Sequence, residues 1–169
     1  MRTHPRRFAP IFIALAIAGC TCTAAFAADR SGASGATLRI APSSDKARVG
    51  MRALPLRTSM TGAKEVWVSD DALLTEADLA DASAAADCQI GPERHGAAVN
   101  LSFSPSGAAR MEAWSRKNVG AMLAVVVDGR VLANANVMSP LGGKFGLCLP
   151  DASLAEAQSI AAELHGTGR

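Results

Sequence analysis

Aromatic side chains are scarce in this chain of 169 residues, which holds five phenylalanines, two tryptophans and no tyrosine. Three of the phenylalanines fall within the first 27 residues. The rest of the chain therefore has only Phe103, Phe145, Trp67 and Trp114. Proteins that bind single-stranded nucleic acids commonly stack the bases on aromatic rings. So few rings argue against a stacking platform for bases or sugars, and no nucleic-acid partner is expected.

Motifs for catalysis and for metal binding are also missing. His95 and His165 lie far apart, without the spacing that a zinc site needs. No G-x-S-x-G nucleophile motif occurs, and residues 141–144 (LGGK) lack the upstream glycine and the following Ser or Thr of a phosphate-binding loop. Asp70-Asp71 is typical of a polar turn. The sequence therefore predicts no catalytic residue, no metal ligand and no cofactor, and it favours a non-enzymatic protein.

The one prominent apolar run lies near the N-terminus. Arg2, Arg6 and Arg7 precede the apolar residues 11–18 (IFIALAIA), which are too few to span a bilayer as a helix. Residues 25–27 (AFA) supply a small-x-small cleavage site. This order is that of a secretory signal peptide over residues 1–27.

A second interpretation of the same segment stays open. Residues 17–20 (IAGC) also fit a lipobox, in which Cys20 becomes a lipid-modified first residue. The protein would then be anchored to a membrane through Cys20, whereas cleavage after Ala27 would leave it exported and unanchored. The mass of the mature N-terminus distinguishes the two.

Cleavage after Ala27 leaves two of the four cysteines, Cys88 and Cys148. An even number of cysteines in an exported protein indicates a disulfide, because the compartment outside the cytoplasm is oxidising. A bridge closing a loop of about 60 residues is worth about 4 kcal/mol in the chain-entropy model. We therefore predict a Cys88–Cys148 disulfide.

Charge is unevenly distributed along the chain. Residues 28–64 carry seven basic side chains against two acidic ones, whereas residues 65–164 carry six basic against thirteen acidic. The first region also contains Gly, Ser and Pro in numbers typical of loops. The sequence thus predicts a basic, partly disordered arm over 28–64, with one short strand at 37–41, and a folded domain over 65–166. Such an arm can meet the acidic domain, an anionic lipid or an acidic partner.

Periodicity and capping signals predict the elements of the domain. Leu123 to Val127 read as a strand buried on both faces, and Asp128-Gly129 is a two-residue hairpin signal. Ser104-Pro105 and Ser153 are helix starts, and Gly120 is a left-handed helix end. The predicted strands are 65–69, 97–103, 122–127, 130–137 and 144–149, and the predicted helices are 76–86, 105–119 and 154–164. This order indicates an α+β fold, a mostly antiparallel sheet with helices packed on it.

These residues follow a familiar spacing. The series comprises residues 99–103 (VNLSF), Gly107, Met111, Ser115, Gly120, residues 123–129 (LAVVVDG), Gly142-Gly143 and the closing helix to Leu164. Together they resemble the head subdomain of the first periplasmic domain of SecD and SecDF, accessory subunits of the Sec protein translocase. The resemblance covers about residues 66–164, and we interpret the chain as a free-standing, exported domain of this kind.

The resemblance implies a periplasmic protein-interaction module that contacts exported polypeptides or another envelope component. We expect the contact surface at the loop around residues 134–136 and 139–144, with Asn134, Asn136, Lys144 and Phe145 as candidate partner-binding residues. Trp114 is a further candidate if its ring is exposed. The alternative is a structural envelope protein anchored to the membrane through Cys20.

Overall fold

Nine strands and two helices form the part of the chain that the structure describes, residues 36–57, 63–90 and 94–166 of a computed structural model. The elements are β1 (Leu38–Ser44), β2 (Met51–Pro55), β3 (Glu65–Ser69), β4 (Leu74–Thr75), a 3₁₀ turn (Glu76–Asp78), β5 (Leu79–Ile90), β6 (Arg94–Phe103), α1 (Pro105–Lys117), β7 (Met122–Val127), β8 (Arg130–Asn136), β9 (Lys144–Pro150) and α2 (Leu154–His165).

The strands divide into two antiparallel sheets. The larger has the order β2-β3-β1-β7-β8, with β4 also pairing with β1, and the smaller has the order β5-β6-β9. Helix α2 packs on β5 and β6, while α1 lies against β4 and β6. The predicted α+β class, mostly antiparallel with helices packed on the sheet, is confirmed.

The main core lies between the two sheets and under the helices. Leu38 and Ile40 of β1 meet Val99 and Leu101 of β6 there, each at most 1% exposed. The helices contribute one buried stripe each: Gly107, Met111 and Ser115 from α1, and Ala157, Ala161 and Leu164 from α2.

A second, smaller core occupies the other face of the larger sheet. Strand β7 serves both cores, because Leu123 and Val125 face the main one while Ala124 and Val126 face the second. Leu56 forms a parallel bridge with Val131 of β8. The larger sheet therefore curls until its two outer strands meet, which encloses the second core. The continuous apolar run of β7 is explained by this burial on both faces.

The region expected to be a basic arm belongs in large part to the fold. Strand β1 pairs with β7 along six residues and with β3 and β4 on its other side. Two basic side chains of this region contact the turn after β3. Arg39 of β1 donates to the backbone oxygens of Ser69 and Asp70, and Arg52 of β2 lies 3.5 Å from the Asp70 carboxylate. The described fold thus begins well before residue 65, and this part of the expectation is corrected. Residues 28–35 lie outside the described range.

The helix expected over 76–86 is absent, and this expectation is wrong. Only a 3₁₀ turn forms at Glu76–Asp78, where Asp78 accepts a hydrogen bond from the Thr75 backbone at 3.1 Å. The chain then continues as strand β5, which pairs with β6 from Leu79 to Ile90. The alanine-rich stretch favours a helix in isolation. Pairing with a long neighbouring strand overrides that weak preference, and small side chains such as Ala82 let α2 pack closely on β5.

The helix starts and turns follow the predicted capping chemistry. The hydroxyl groups of Ser104 and Ser153 accept hydrogen bonds from the backbone N–H of Gly107 and Glu156. At the hairpin tip, Asp128 and Gly129 have φ of 48° and 75°, as a two-residue hairpin turn of type I′ requires. The Asp128 carboxylate also accepts from the backbone and hydroxyl of Thr37, which ties the hairpin to the start of β1.

Replacement of Gly120 tests the turn that follows α1. Gly120 has φ of 88°, and a Cβ built there meets nothing within 4 Å. The cost of Gly120→Val is therefore backbone strain alone, and we expect about 2 kcal/mol loss in the free energy of unfolding, because a β-branched residue resists positive φ. Urea denaturation measures it, with Gly142→Val as the control at a glycine that has equal space and no positive φ. Equal losses in both variants would contradict the turn geometry.

Candidate functional site

An apolar cleft of about 190 Å³ opens at the corner where the two sheets approach each other. Its floor is made by Ile40 of β1 with Leu123 and Val125 of β7. Strand β8 and the residues after it form one side, strand β9 forms the other, and Leu141 of the connecting loop lies between them. The cleft is thus an opening into the main core, at a point where neither helix covers it.

The aromatic wall of the cleft comes from β9. Phe145 is half-buried and stacks on Phe103 of β6, with ring centroids 5.4 Å apart and an angle of 28° between the planes. Phe103 itself is only 7% exposed. Packing against a buried ring restrains the Phe145 side chain, so the wall is preorganised.

The described residues that line the cleft carry no charge. Among the described residues that line it, Asn136 is the only one with a polar side chain, and none has an ionisable group. Asn136 is exposed at the end of β8. Asn136 pairs with Met122 and lies between Ala135 and Val137, so its backbone borders the cleft while its side chain points to the same face as that of Asn134. The cleft can therefore accept an apolar group in its interior.

The loop that closes one end of the cleft is held against α1. The Leu141 backbone N–H donates to the Ser115 hydroxyl at 2.7 Å, and Ser115 is fully buried. A Cβ at Gly143 would lie 2.5 Å from the Ala108 side chain, so only glycine allows this approach. Val137 bonds through its backbone to Gly120 and Ala121. These contacts fix the loop from Val137 to Gly143 relative to α1.

Two of the four candidate partner-binding residues, Asn136 and Phe145, lie at the cleft. Asn134 is opposite Ala124, whose side chain faces the second core, and its amide oxygen accepts a hydrogen bond of 2.7 Å from Ser43. Asn134 therefore points to the other face of the sheet.

Lys144 is exposed and pairs with Ser102, one position away from the residues that face the core. Because side chains alternate along a strand, Lys144 points away from Phe145 and from the cleft. Trp114 is half-buried against the main core, so its ring is not a free surface.

The surface predicted from the sequence, residues 134–136 and 139–144, includes the lining residues Ala135 and Leu141 but not Ala133. Ala133, Ala135 and Leu141 give no chemical signal of their own, because small or aliphatic residues at an edge strand are ordinary in any sheet. The alternation of Ala133, Ala135 and Val137 was the available clue, since it marks one apolar face at the end of the hairpin. Exposed apolar residues continue nearby, with Val119 57% and Met138 81% exposed.

A second, shallow depression lies where α2 meets β5. It is lined by Ala82, Ala161, Ala162, His165 and Gly166, and His165 Nδ1 is 3.3 Å from Asp81. Within residues 36–57, 63–90 and 94–166, no group of three or more His, Cys, Asp or Glu is placed to hold a metal ion. The His165–Asp81 pair is an exposed surface contact of small energetic weight.

The Cys88–Cys148 disulfide is formed, with the two Cα atoms 5.5 Å apart, which confirms the pairing expected from the sequence. Cys20 and the cleavage site after Ala27 lie outside the described residues. Neither α1 nor α2 is long and apolar enough to cross a membrane, and no other helix in the described ranges is either.

Comparison with known proteins identifies the family. A family model described as the P1 head subdomain of SecDF matches residues 52–167. The protein translocase subunit SecDF of Thermus thermophilus is 40% identical over 93 residues, which are 55% of this chain and 12% of that protein. The matched part of this chain thus spans about an eighth of the length of that relative.

Solved structures agree with the sequence match. One is described as the structure and function of a membrane component SecDF that enhances protein export. It is 28% identical to this chain, with a TM-score of 0.57, and the match covers 78% of this chain and 63% of that chain. Another, the crystal structure of SecDF in a super-membrane-facing form, is 28% identical with a TM-score of 0.58 and coverages of 78% and 19%. This chain belongs to the SecDF P1 head subdomain family.

Proposed function

We propose that this domain is a non-enzymatic, exported interaction module that makes weak contacts with extended segments of exported polypeptides through the cleft between β8 and β9. One observation carries the proposal: an open apolar cleft of about 190 Å³ on a domain of this family. The partner class is supported by the relatives, one named a protein translocase subunit and another described as a component that enhances protein export.

The chemistry of the cleft suits an unfolded partner. A polypeptide that has not folded exposes the apolar side chains that a folded protein buries, and the cleft offers them an apolar interior with an uncharged rim. A folded partner would need a larger matching surface, since stable interfaces bury about 800 Å² on each side. The small opening therefore favours one short segment of chain.

Weak binding is expected from the number of anchors. A few well-packed residues carry most of the energy of an interface, and aromatic residues are frequent among them. Among the described residues, the cleft has a single aromatic wall, Phe145, and its other lining is aliphatic side chains and backbone. Such a contact can form and release repeatedly as a chain passes, which suits a module that accompanies export.

Replacement of the two cleft residues tests the function. We expect a reduced, unfolded secretory protein to bind weakly, and Phe145→Ala to weaken binding about tenfold, because it removes the aromatic wall. Asn136→Ala should leave binding nearly unchanged, because the Asn136 side chain points to the face opposite the cleft. Titration followed by fluorescence anisotropy of the labelled polypeptide measures both, with thermal melts to show that each variant is folded.

Leu154→Ala is the control, because Leu154 is an apolar side chain on α2 that is 39% exposed and does not line the cleft. It should leave the affinity unchanged. Absence of binding at the highest soluble concentration would refute the proposed function. Equal affinities for the wild type and for Phe145→Ala would show that the polypeptide binds elsewhere.

A further inference from the structure

The volume of the cleft matches one side chain. A cavity of about 150 Å³ lined by Leu, Ile and Phe is large enough to hold benzene. The cleft has about 190 Å³ and a similar lining of aliphatic residues with one phenyl ring. It can therefore hold a single leucine, isoleucine, methionine or phenylalanine side chain, and it has no room for two.

The lining selects against charge. The described lining residues carry no ionisable group, so a Lys, Asp or Glu side chain entering the cleft would lose its hydration without gaining a partner. Alanine would enter without penalty but would leave most of the volume unfilled. The walls therefore distinguish bulky apolar side chains from small and from charged ones.

Among the described residues, most of the backbone edge beside the cleft has no pairing strand. Strand β8 is the last strand of its sheet, and within the described ranges its outer edge is met by Leu56 and Arg57 at Val131, where the Arg57 N–H donates to the Val131 oxygen at 2.9 Å. From Ala133 to Asn136, no other strand in the described ranges pairs with that edge. An open edge is a template for an added strand, which a bound peptide can supply.

We propose that the cleft is an anchor pocket for one bulky apolar side chain of an extended polypeptide whose backbone pairs with the outer edge of β8 at Ala133–Asn136. The inference rests on the proposed function and specifies which segments it acts on. The side chains of an added strand alternate in direction, so one residue in two faces the cleft and only one fills it. The partner segment is therefore extended and uncharged at one position, and it has no other sequence requirement.

The anchor pocket is tested with a set of peptides that share one host sequence and differ in a single guest residue. The full-length protein is titrated with labelled peptides of about 11 polar residues, long enough to span the β8 edge as a strand. They differ only at the central position, which is Leu, Phe, Ala, Asp or Lys. Burial of a full apolar side chain should make the Leu and Phe peptides bind at least about tenfold more tightly than the Ala peptide. The Asp and Lys peptides should bind more weakly than the Ala peptide.

A variant that fills the cleft tests the anchor pocket from the side of the protein. Ala135 is exposed at the cleft, so Ala135→Phe places a ring in the space without disturbing a buried residue. It should reduce the affinity of the Leu peptide to that of the Ala peptide. Ala155→Phe adds the same ring on α2, where Ala155 is exposed and outside the cleft, and it should leave the preference intact.

N-methylation of alternate peptide amides tests the pairing with β8. Methylation of one alternate set should abolish the preference for the Leu guest, whereas methylation of the other set should not, because only one set faces β8. Equal binding of all guests, or equal effects of both sets, would overturn the inference even if unfolded polypeptide binds. If no polypeptide binds at all, both the proposed function and this inference fail. Displacement by a dodecyl chain with no guest preference would assign the cleft to lipid and overturn the inference.

Discussion

Loss of the Cys88–Cys148 disulfide is expected to lower the free energy of unfolding by about 4 kcal/mol, because the bridge closes a loop of about 60 residues. The two cysteines are 60 residues apart in sequence, and their Cα atoms are 5.5 Å apart in the fold. The melting temperature should fall by roughly 10 °C in a domain of this size. Thermal melts of the double variant Cys88→Ala/Cys148→Ala, and of the wild type with and without reductant, measure the change.

The position of the bridge gives it a second effect. Strands β5 and β9 are not neighbours, because β6 lies between them, with Gly96 opposite Cys88 and Ala98 opposite Cys148. Strands two positions apart in a flat sheet are about 9–10 Å apart. The short Cα distance therefore means that the small sheet is sharply curled here, and the register shift between Ala85 and Cys88 accommodates the curl. Removal of the bridge should relax it.

The double variant supplies the control for this prediction. Reductant should lower the melting temperature of the wild type to that of Cys88→Ala/Cys148→Ala and should leave the variant itself unchanged. Thiol titration of the native protein should find Cys88 and Cys148 unreactive. A wild type that melts at the same temperature with and without reductant would contradict the stabilising role.

The second large effect is expected at Gly96, at the centre of the same curl. A Cβ at this position would lie 2.0 Å from the backbone oxygen of Leu149 and 2.9 Å from its carbonyl carbon. The obstacle is backbone, so no side-chain rotation relieves it, and β6 and β9 must separate. We expect Gly96→Ala to lower the free energy of unfolding by about 3 kcal/mol, the upper part of the usual range for overpacking. Urea denaturation measures the loss.

Gly142→Ala is the control for Gly96→Ala, because a Cβ at Gly142 meets nothing within 4 Å. Its effect should be within about 0.5 kcal/mol of zero, as for ordinary surface substitutions. Thiol titration of Gly96→Ala should show whether the disulfide is still formed, which separates strain between the strands from loss of the bridge. Similar stability of the two variants would contradict the close approach of β6 and β9.

Local patterns in the sequence were sufficient for most elements after residue 97. Ser104-Pro105 and Ser153 start helices because a hydroxyl next to the first turn satisfies a free backbone N–H, whatever the rest of the fold does. Asp128-Gly129 turns the chain because both residues tolerate positive φ. The disulfide also followed from a simple count of cysteines. These signals are local or compositional, so they can be read without knowing the neighbours of each strand.

The stretch from Leu79 to Ile90 shows where local preference fails. Its alanines favour a helix by only a few tenths of a kcal/mol each, and pairing with all of β6 outweighs them. Strand β1 was underestimated for a related reason. A short strand was predicted at 37–41, but the basic residues around it assigned it to an arm. Its pairing with β7 and the burial of Leu38 and Ile40 give it a central place in the fold. Both outcomes depend on partners that are distant in sequence.

For the candidate site, too, part could be predicted from the sequence and part required the tertiary structure. Short motifs in a fixed order were enough to identify the family and the hairpin, and they predicted the neighbourhood of the candidate site. The three-dimensional packing was needed to show that Phe145 lines a cleft, that Asn136 borders it with its backbone, and that the side chains of Asn134 and Lys144 face elsewhere. A cleft of this kind is formed by strands from two sheets and by a loop held on a helix. The direction of each side chain in it depends on strand register, which is set by the packing of the whole domain.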